Sequence, residues 1–363
     1  MAVPVDIGDL LNRAKRDVER ARFRARNGIK LMVGANRPGV GLTPRDEVWG
    51  RDKVRLYRYR GPSRAGVDTP ETAAGRPPVL LVMSLISRSY IFDLQPKNSC
   101  VEFLLGQGLD VFLLDWGVPD ELEAGFTLAT YCDDYLPRAV AAVAAEAGSD
   151  AVTVYGYCLG GVLALLYAAG HPDDPVANLI TMATPVDFSG LGPLGALIDG
   201  RVPPEDLLDA TGNVPPGVIF NAFRTLAPTG ELVNYANLWQ HLWNDRFVEG
   251  YQAMNGWVRD HIPFPGGVLR DLAELVPNKG LAPGEARLGQ RTVRLADITC
   301  PFLSVVAEAD HIVPIDAATG LAEMVGSKDA TELRLPGGHV SLFVGRPAQT
   351  RSLPAIVDWI AGH

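Results

Sequence analysis

An α/β fold, with a mostly parallel central sheet and an inserted helical cap, is what this sequence predicts, and three observations predict it. Val79-Leu80-Leu81-Val82-Met83 and Val111-Phe112-Leu113-Leu114-Asp115 are near-continuous apolar runs, the pattern of parallel strands covered on both faces. Ala151-Val152-Thr153-Val154-Tyr155 leads through Gly156-Tyr157-Cys158-Leu159-Gly160-Gly161 into the helix-forming run from Val162 to Ala169. Residues 187–290 break this rhythm with frequent Pro and Gly, and it resumes over 291–363.

Taken in order, residues 1–35 read as a helical segment. Ile7, Leu10, Leu11, Ala14, Val18, Ala21 and Ala25 fall roughly on one stripe, as on an amphipathic helix. Its other face is basic, with Arg13, Lys15, Arg16, Arg20, Arg22, Arg24, Arg26 and Lys30. That face is either a solvated surface or one that docks a partner or an anionic interface. Residues 36–186 form the first part of the core. Lys53–Tyr59 alternates as an edge strand does, and residues 61–78, rich in Gly, Pro, Thr and Ala, read as a loop. Leu179-Ile180-Thr181-Met182 is the strand after the glycine-flanked turn. Residues 187–290, with Trp239, Trp243 and Trp257, read as an inserted, mostly helical cap. Residues 291–363 complete the core with Phe302–Ala307 as a buried strand, Thr331–Leu335 as a half-buried one, and a closing helix containing Asp358-Trp359-Ile360.

The turn at Cys158 has the context of a nucleophile elbow, and with it the α/β-hydrolase fold is the expectation. Gly156 and Gly160 let the backbone turn tightly enough to present the sulfur, and Gly161 lets the helix approach the strand. The competing reading is a buried structural thiol, since free Cys is among the most buried residue types. A nucleophile needs a base and the base an orienting group. Asp310 follows the strand Phe302–Ala307, and His339 follows Pro336-Gly337-Gly338 after Thr331–Leu335. Both therefore fall at carboxyl ends of strands, where ligand chemistry collects in open α/β sheets. The order nucleophile, acid, His is the one this fold uses. His171 precedes Pro172 at a helix end, His241 and His261 lie among tryptophans, His363 is terminal, and His311 beside Asp310 is a supporting residue or a rival base. The expected oxyanion donors are the backbone N–H of Leu159 and one from Ile86–Ser87.

Composition fits a globular enzyme. The 363 residues are 47% hydrophobic and 21% charged, enough chain for a large core. The net charge of −9 argues against a general nucleic-acid binder. No apolar run is long enough to span a bilayer and no signal-peptide core is visible. Cys100, Cys132, Cys158 and Cys300 are irregularly spaced, which suits neither a disulfide framework nor a metal site. A reducing cytoplasm is the expected compartment.

Several motifs resemble the polyhydroxyalkanoate (PHA) synthases, over nearly the whole chain. They are the lipase-like box Gly156–Gly161 with cysteine, Asp115-Trp116-Gly117-Val118-Pro119, and Asn178–Thr181 running into Thr184-Pro185-Val186-Asp187-Phe188. Trp257–Asp260 with Pro263-Phe264-Pro265-Gly266, Asp310-His311-Ile312-Val313-Pro314 and Gly337-Gly338-His339-Val340 complete the set. The length resembles the short class III catalytic subunit. Two places depart from the pattern: Val82-Met83-Ser84-Leu85-Ile86-Ser87 stands where the family has Val-Pro-Pro-Leu-Ile-Asn, and Val340-Ser341 where it has Val-Gly.

The resemblance implies a cysteine acyltransferase that polymerises (R)-3-hydroxyacyl-CoA with release of CoA, through Cys158, His339 and Asp310, with Asp310 either holding the imidazole or helping to activate the incoming hydroxyl. It needs no cofactor, since the CoA thioester is the substrate. Implied partners are the growing polyester and its granule surface, a second synthase subunit and a homodimeric copy. Cysteine suits this chemistry because attack exchanges one thioester for another and keeps the acyl group activated. Two other functions remain open: a thioesterase or depolymerase in which water replaces the hydroxyl acceptor, and a non-catalytic granule-associated protein.

Overall fold

The computed structural model describes residues 7–32, 38–61, 75–226 and 237–363. The apolar runs of the sequence become the centre of one eight-stranded sheet, because residues without polar side chains can be covered on both faces. Its members are β1 (Arg45–Arg51), β2 (Val54–Tyr59), β3 (Val79–Val82), β4 (Val111–Asp115), β5 (Val152–Tyr157) and β6 (Val176–Met182). After two small pairs, β7 (Asn213–Val214) with β8 (Phe264–Pro265) and β9 (Glu285–Leu288) with β10 (Arg291–Arg294), the sheet ends in β11 (Phe302–Ala307) and β12 (Ala330–Leu335). The spatial order is β1-β2-β4-β3-β5-β6-β11-β12. Every pairing from β4 to β12 is parallel, and only β2 runs against its neighbours. The expected α/β-hydrolase architecture is thus found.

One expectation is corrected. Lys53–Tyr59 was read as the edge, but β2 lies one strand in and β1 takes the edge. The turn between them passes through Asp52 at φ 51°, a left-handed position filled without the Asn-Gly or Asp-Gly pair that announces a hairpin. Of the loop read over 61–78, residues 62–74 lie outside the described residues.

Helices cover both faces. The elbow helix Leu159–Gly170 is buried from Leu159 to Ala169 and packs with Leu136–Ala147 on one face. Cys100–Gly106 and the closing helix Leu353–Ala361 cover the other. Between β6 and β9 the described residues include helices Pro216–Leu226, Asp245–Arg259 and Gly266–Leu275. The tryptophans there do not gather: Trp257 is buried, Trp243 lies under the Arg20 guanidinium, and Trp239 is exposed.

The N-terminal helix Ile7–Met32 docks on this region through its polar side. Asn27 is buried and donates from Nδ2 to the Leu242 carbonyl and to Asp245, each at 2.8 Å, and Arg26 pairs with Asp245. Val18, Ala21 and Ala25, members of the apolar stripe, are exposed.

Candidate functional site

The elbow turn is built from three close approaches. A Cβ on Gly156 would sit 2.5 Å from the Gly160 carbonyl oxygen, one on Gly160 would overlap the Val82 carbonyl, and one on Gly161 would overlap the Thr184 side chain. Only glycine fits such contacts. The turn places Cys158 at φ 54°, ψ −123°, a strained conformation for a side-chain-bearing residue. It is held by the Cys158 N–H donating to Met182 O at 2.9 Å, and by Gly161 N–H returning to Cys158 O at 2.9 Å. Leu159 is the first residue of the helix, so its N–H has no partner within the helix.

His339 and Asp310 come to the same edge. Phe302–Ala307 and Ala330–Leu335 pair in parallel, and beyond them Ala309 N–H donates to Gly337 O at 2.9 Å, tying the two loops. His339 Nδ1 donates to Asp310 Oδ2 at 2.7 Å. Asp310 Oδ1 accepts from the amides of Ile312 and Val313 at 2.8 and 2.9 Å, so both oxygens are occupied. The His339 ring is nearly buried and interacts with the Cys158 side chain as well as with Asp310. Burial alone would push its pKa down, but the charge on Cys158 and the bonds to Asp310 and Cys158 outweigh it, and the pKa is raised to about 10. The Tyr157 ring lies 4.9 Å from the imidazole, tilted by 51°, and its hydroxyl is buried without a hydrogen-bond partner among the described residues.

Ser341, one of the two motif departures, has a visible task. Its hydroxyl donates to Gly338 O and accepts from Gly338 N–H, both at 2.8 Å, closing the turn that carries His339. The other departure, Ser84, is buried, and its hydroxyl lies 3.5 Å from the Ile86 N–H.

The Met83–Tyr90 loop is braced from two sides. Trp116 Nε1 donates to Met83 O at 2.8 Å, and Asp115 accepts from Ser89 Oγ at 2.7 Å. From the cap side, Trp257 Nε1 donates to Arg88 O at 2.8 Å, His261 Nδ1 to Ile86 O at 3.1 Å, and Tyr90 Oη to Asp260 at 3.1 Å. Ile86 therefore faces the cavity above Cys158, whereas Ser87 is bridged to His261.

That cavity holds about 130 Å³ of free space. Cys158, Leu159 and Ile86 form its base, and eleven of its seventeen lining residues come from Phe188 to Leu272. All the lining side chains are apolar except the thiol, so a bound alkyl group would meet no polar competitor. Leu191, Ile198, Phe223 and Leu272 were not singled out from sequence, since a Pro-interrupted segment shows no periodicity to place them.

The other thiols are placed differently. Cys100 and Cys132 are fully buried, and burial pushes both thiols up. Cys300 is half-buried near the opposite end of β11, its pKa pushed up to about 11 by burial. His311 is exposed. His171 bonds Asp133 at 3.0 Å at the end of the elbow helix, His241 stacks on Phe247, and His261 stacks on Phe223 with its pKa lowered by burial.

A strained cysteine elbow at the carboxyl edge of this sheet defines the class, and residues 77–346 match the family model described as alpha/beta hydrolase fold. Solved structures agree on the fold: a thermophilic esterase from Thermogutta terrifontis (TM-score 0.52, 16% identity, 88% of this chain and 98% of that one) and a hydrolase from Pseudomonas aeruginosa PA01 (TM-score 0.51, 16% identity, 90% and 100%). Among curated relatives, a poly(3-hydroxyalkanoate) polymerase subunit PhaC from Allochromatium vinosum is 36% identical over 98% of this chain and 99% of its own length. The PhaC of Thiocystis violacea is 34% identical over 92% of each. The chain belongs to the PHA synthase family of the α/β-hydrolase superfamily. Among the described residues, no helix is long and apolar enough to cross a membrane.

Proposed function

We propose that this chain is a cysteine acyltransferase that polymerises (R)-3-hydroxyacyl-CoA into polyhydroxyalkanoate, with the catalytic role of a class III subunit. One observation carries the reading: Cys158, beside a His339 that Asp310 orients, opens on a wholly apolar cavity in a chain 36% identical to a PhaC polymerase subunit over 98% of its length.

In this reading Cys158 Sγ, having given its proton to His339 Nε2, attacks the thioester carbonyl. The oxyanion rests on the Leu159 N–H at the helix N-terminus and on an N–H of the Ile86–Ser87 loop. The carbon–sulfur bond to CoA breaks, and CoA leaves as the thiol with the proton from His339. The acyl group is then a thioester on Cys158. His339 next takes the proton of the 3-hydroxyl of a second acyl unit, whose oxygen attacks the acyl-Cys158 carbonyl. An ester forms, Sγ is released, and the chain has grown by one unit. Asp310 holds the imidazole throughout, and His311 stands outside this relay. The apolar cap excludes water, which would otherwise divert the acyl-enzyme to hydrolysis. No cofactor or metal takes part. A second synthase subunit, a homodimeric state, a cytoplasmic location and attachment to the polyester granule belong to the same proposal.

Purified protein supplied with 3-hydroxybutyryl-CoA, alone and with a candidate second subunit, tests it. Polymer with stoichiometric CoA is expected. Free 3-hydroxybutyrate with CoA would establish the hydrolase instead, and no turnover under either condition a non-catalytic role.

A further inference from the structure

The N-terminal helix is attached to the body by the wrong side for an ordinary amphipathic helix. Asn27, Arg20 and Gly28 face the body: Asn27 bonds Leu242 and Asp245, Arg20 lies 4.7 Å over the Trp243 ring, and Gly28 approaches Leu242. At 100° per residue Asn27 and Arg20 lie roughly opposite Val18, Ala21, Ala25, Ile29 and Met32, and Gly28 lies at the edge of that stripe. Those five are exposed, Val18 at 62%, Ile29 at 58% and Met32 at 82%. They continue, in steps of three and four, the stripe that starts in the sequence at Ile7, Leu11 and Ala14. Such spacing keeps one face against a second helix. A contiguous apolar stripe left in water marks an interaction surface.

Charge and side-chain size say what covers it. Residues 7–32 hold eight Lys or Arg against three Asp or Glu, a net +5 in a chain of −9. Lys15 and Arg22 border the stripe and are exposed. A second copy of the same helix would set these cations against each other, which disfavours self-pairing. A lipid surface is best met by large apolar residues, whereas Ala21 and Ala25 give little area to insert. Small residues instead let another helix come close.

We propose that the exposed stripe from Val18 to Met32 is the seat of an amphipathic helix with acidic flanks, supplied by a different protein chain. The seat is independent of the chemistry assigned to Cys158, so either can fail without the other.

The test uses the purified full-length chain and a labelled designed peptide, apolar along one helical seam with Glu on both flanks, followed by fluorescence anisotropy. Saturable binding is expected. Ala25→Glu and Val18→Glu should each weaken it at least about tenfold, about 1.4 kcal/mol, with far-ultraviolet circular dichroism unchanged. Arg22→Glu and added salt should weaken it too, and a peptide with Lys flanks should not bind. Absence of binding, or equal binding of the Lys-flanked peptide, overturns the proposal. So does a homodimer by light scattering that Ala25→Glu dissociates, or stripe-dependent retention on phosphatidylglycerol vesicles without peptide binding.

Discussion

Asp310→Asn removes one oxygen from a site in which both are used. The Asp310 side chain is 1% exposed; Oδ1 accepts from two backbone amides and Oδ2 from His339 Nδ1 at 2.7 Å. An asparagine has one oxygen and one NH₂ group. With the oxygen toward Ile312 and Val313, the NH₂ faces Nδ1, which must then accept. The ring proton moves to the nitrogen facing Cys158, and that nitrogen can no longer take the thiol proton. With the oxygen toward His339, the NH₂ meets two N–H donors in a buried site, at a cost of about 1–3 kcal/mol for a polar group left unpaired. Wrong-tautomer penalties in catalytic triads run to about 10⁴ in rate, or about 5.5 kcal/mol. Asp310→Asn is therefore expected to slow acylation of Cys158 by about 10³- to 10⁴-fold, and to lose about 1–3 kcal/mol of stability. Rapid quenching with intact-mass detection of the acyl-enzyme gives the rate, and urea unfolding gives the stability. Acylation within about tenfold of wild type, in a folded protein, would refute Asp310 as the orienting group.

Three further perturbations probe the same site. In Cys158→Ala the imidazole of His339 loses the negative neighbour that helps raise its pKa to about 10, so its NMR titration should fall to lower pH. Because the folded value lies above the unfolded one, the stability His339 contributes is complete below about pH 6.5 and drains as pH rises toward 10; in Cys158→Ala the loss should still begin near pH 6.5 but be smaller and complete at lower pH in urea melts, because only the folded value has fallen. Gly161→Ala drives a methyl into Thr184 and should cost about 1–3 kcal/mol, partly recovered in the double variant with Thr184→Ala, as a double-mutant cycle in urea would report. Leu272→Phe narrows the cavity above Cys158 and should lower kcat/KM for 3-hydroxyhexanoyl-CoA more than for 3-hydroxybutyryl-CoA; equal losses would mean that this cavity does not receive the acyl side chain.

Much of the frame was legible because it rests on local rules. Val79–Val82, Val111–Asp115 and Phe302–Ala307 read as doubly covered strands and are buried throughout, Asp115 apart. Gly156, Gly160 and Gly161 marked the elbow because each adjoins backbone or a side chain too closely for a Cβ. The juxtaposition of Cys158, Asp310 and His339 followed from strand ends sharing one edge of a parallel sheet. What stayed hidden depends on long-range contacts. Nothing local says that Trp257 and His261 would hold Arg88 and Ile86, or that Ser341 would close the turn around His339. The stripe Val18-Ala21-Ala25 was visible, but its outward orientation was not, because Asn27 and Asp245, 218 residues apart, decide it.

The most direct test of the central claim is to find where the acyl group goes. Purified protein is mixed with 3-hydroxybutyryl-CoA, quenched in acid within the first turnover, digested and mapped by mass spectrometry. One 3-hydroxybutyryl adduct is expected on the peptide carrying Cys158, with one CoA released per adduct. It should be absent in Cys158→Ala and retained in Cys100→Ala, Cys132→Ala and Cys300→Ala. An adduct on another residue, or undiminished CoA release from purified Cys158→Ala, would contradict the account.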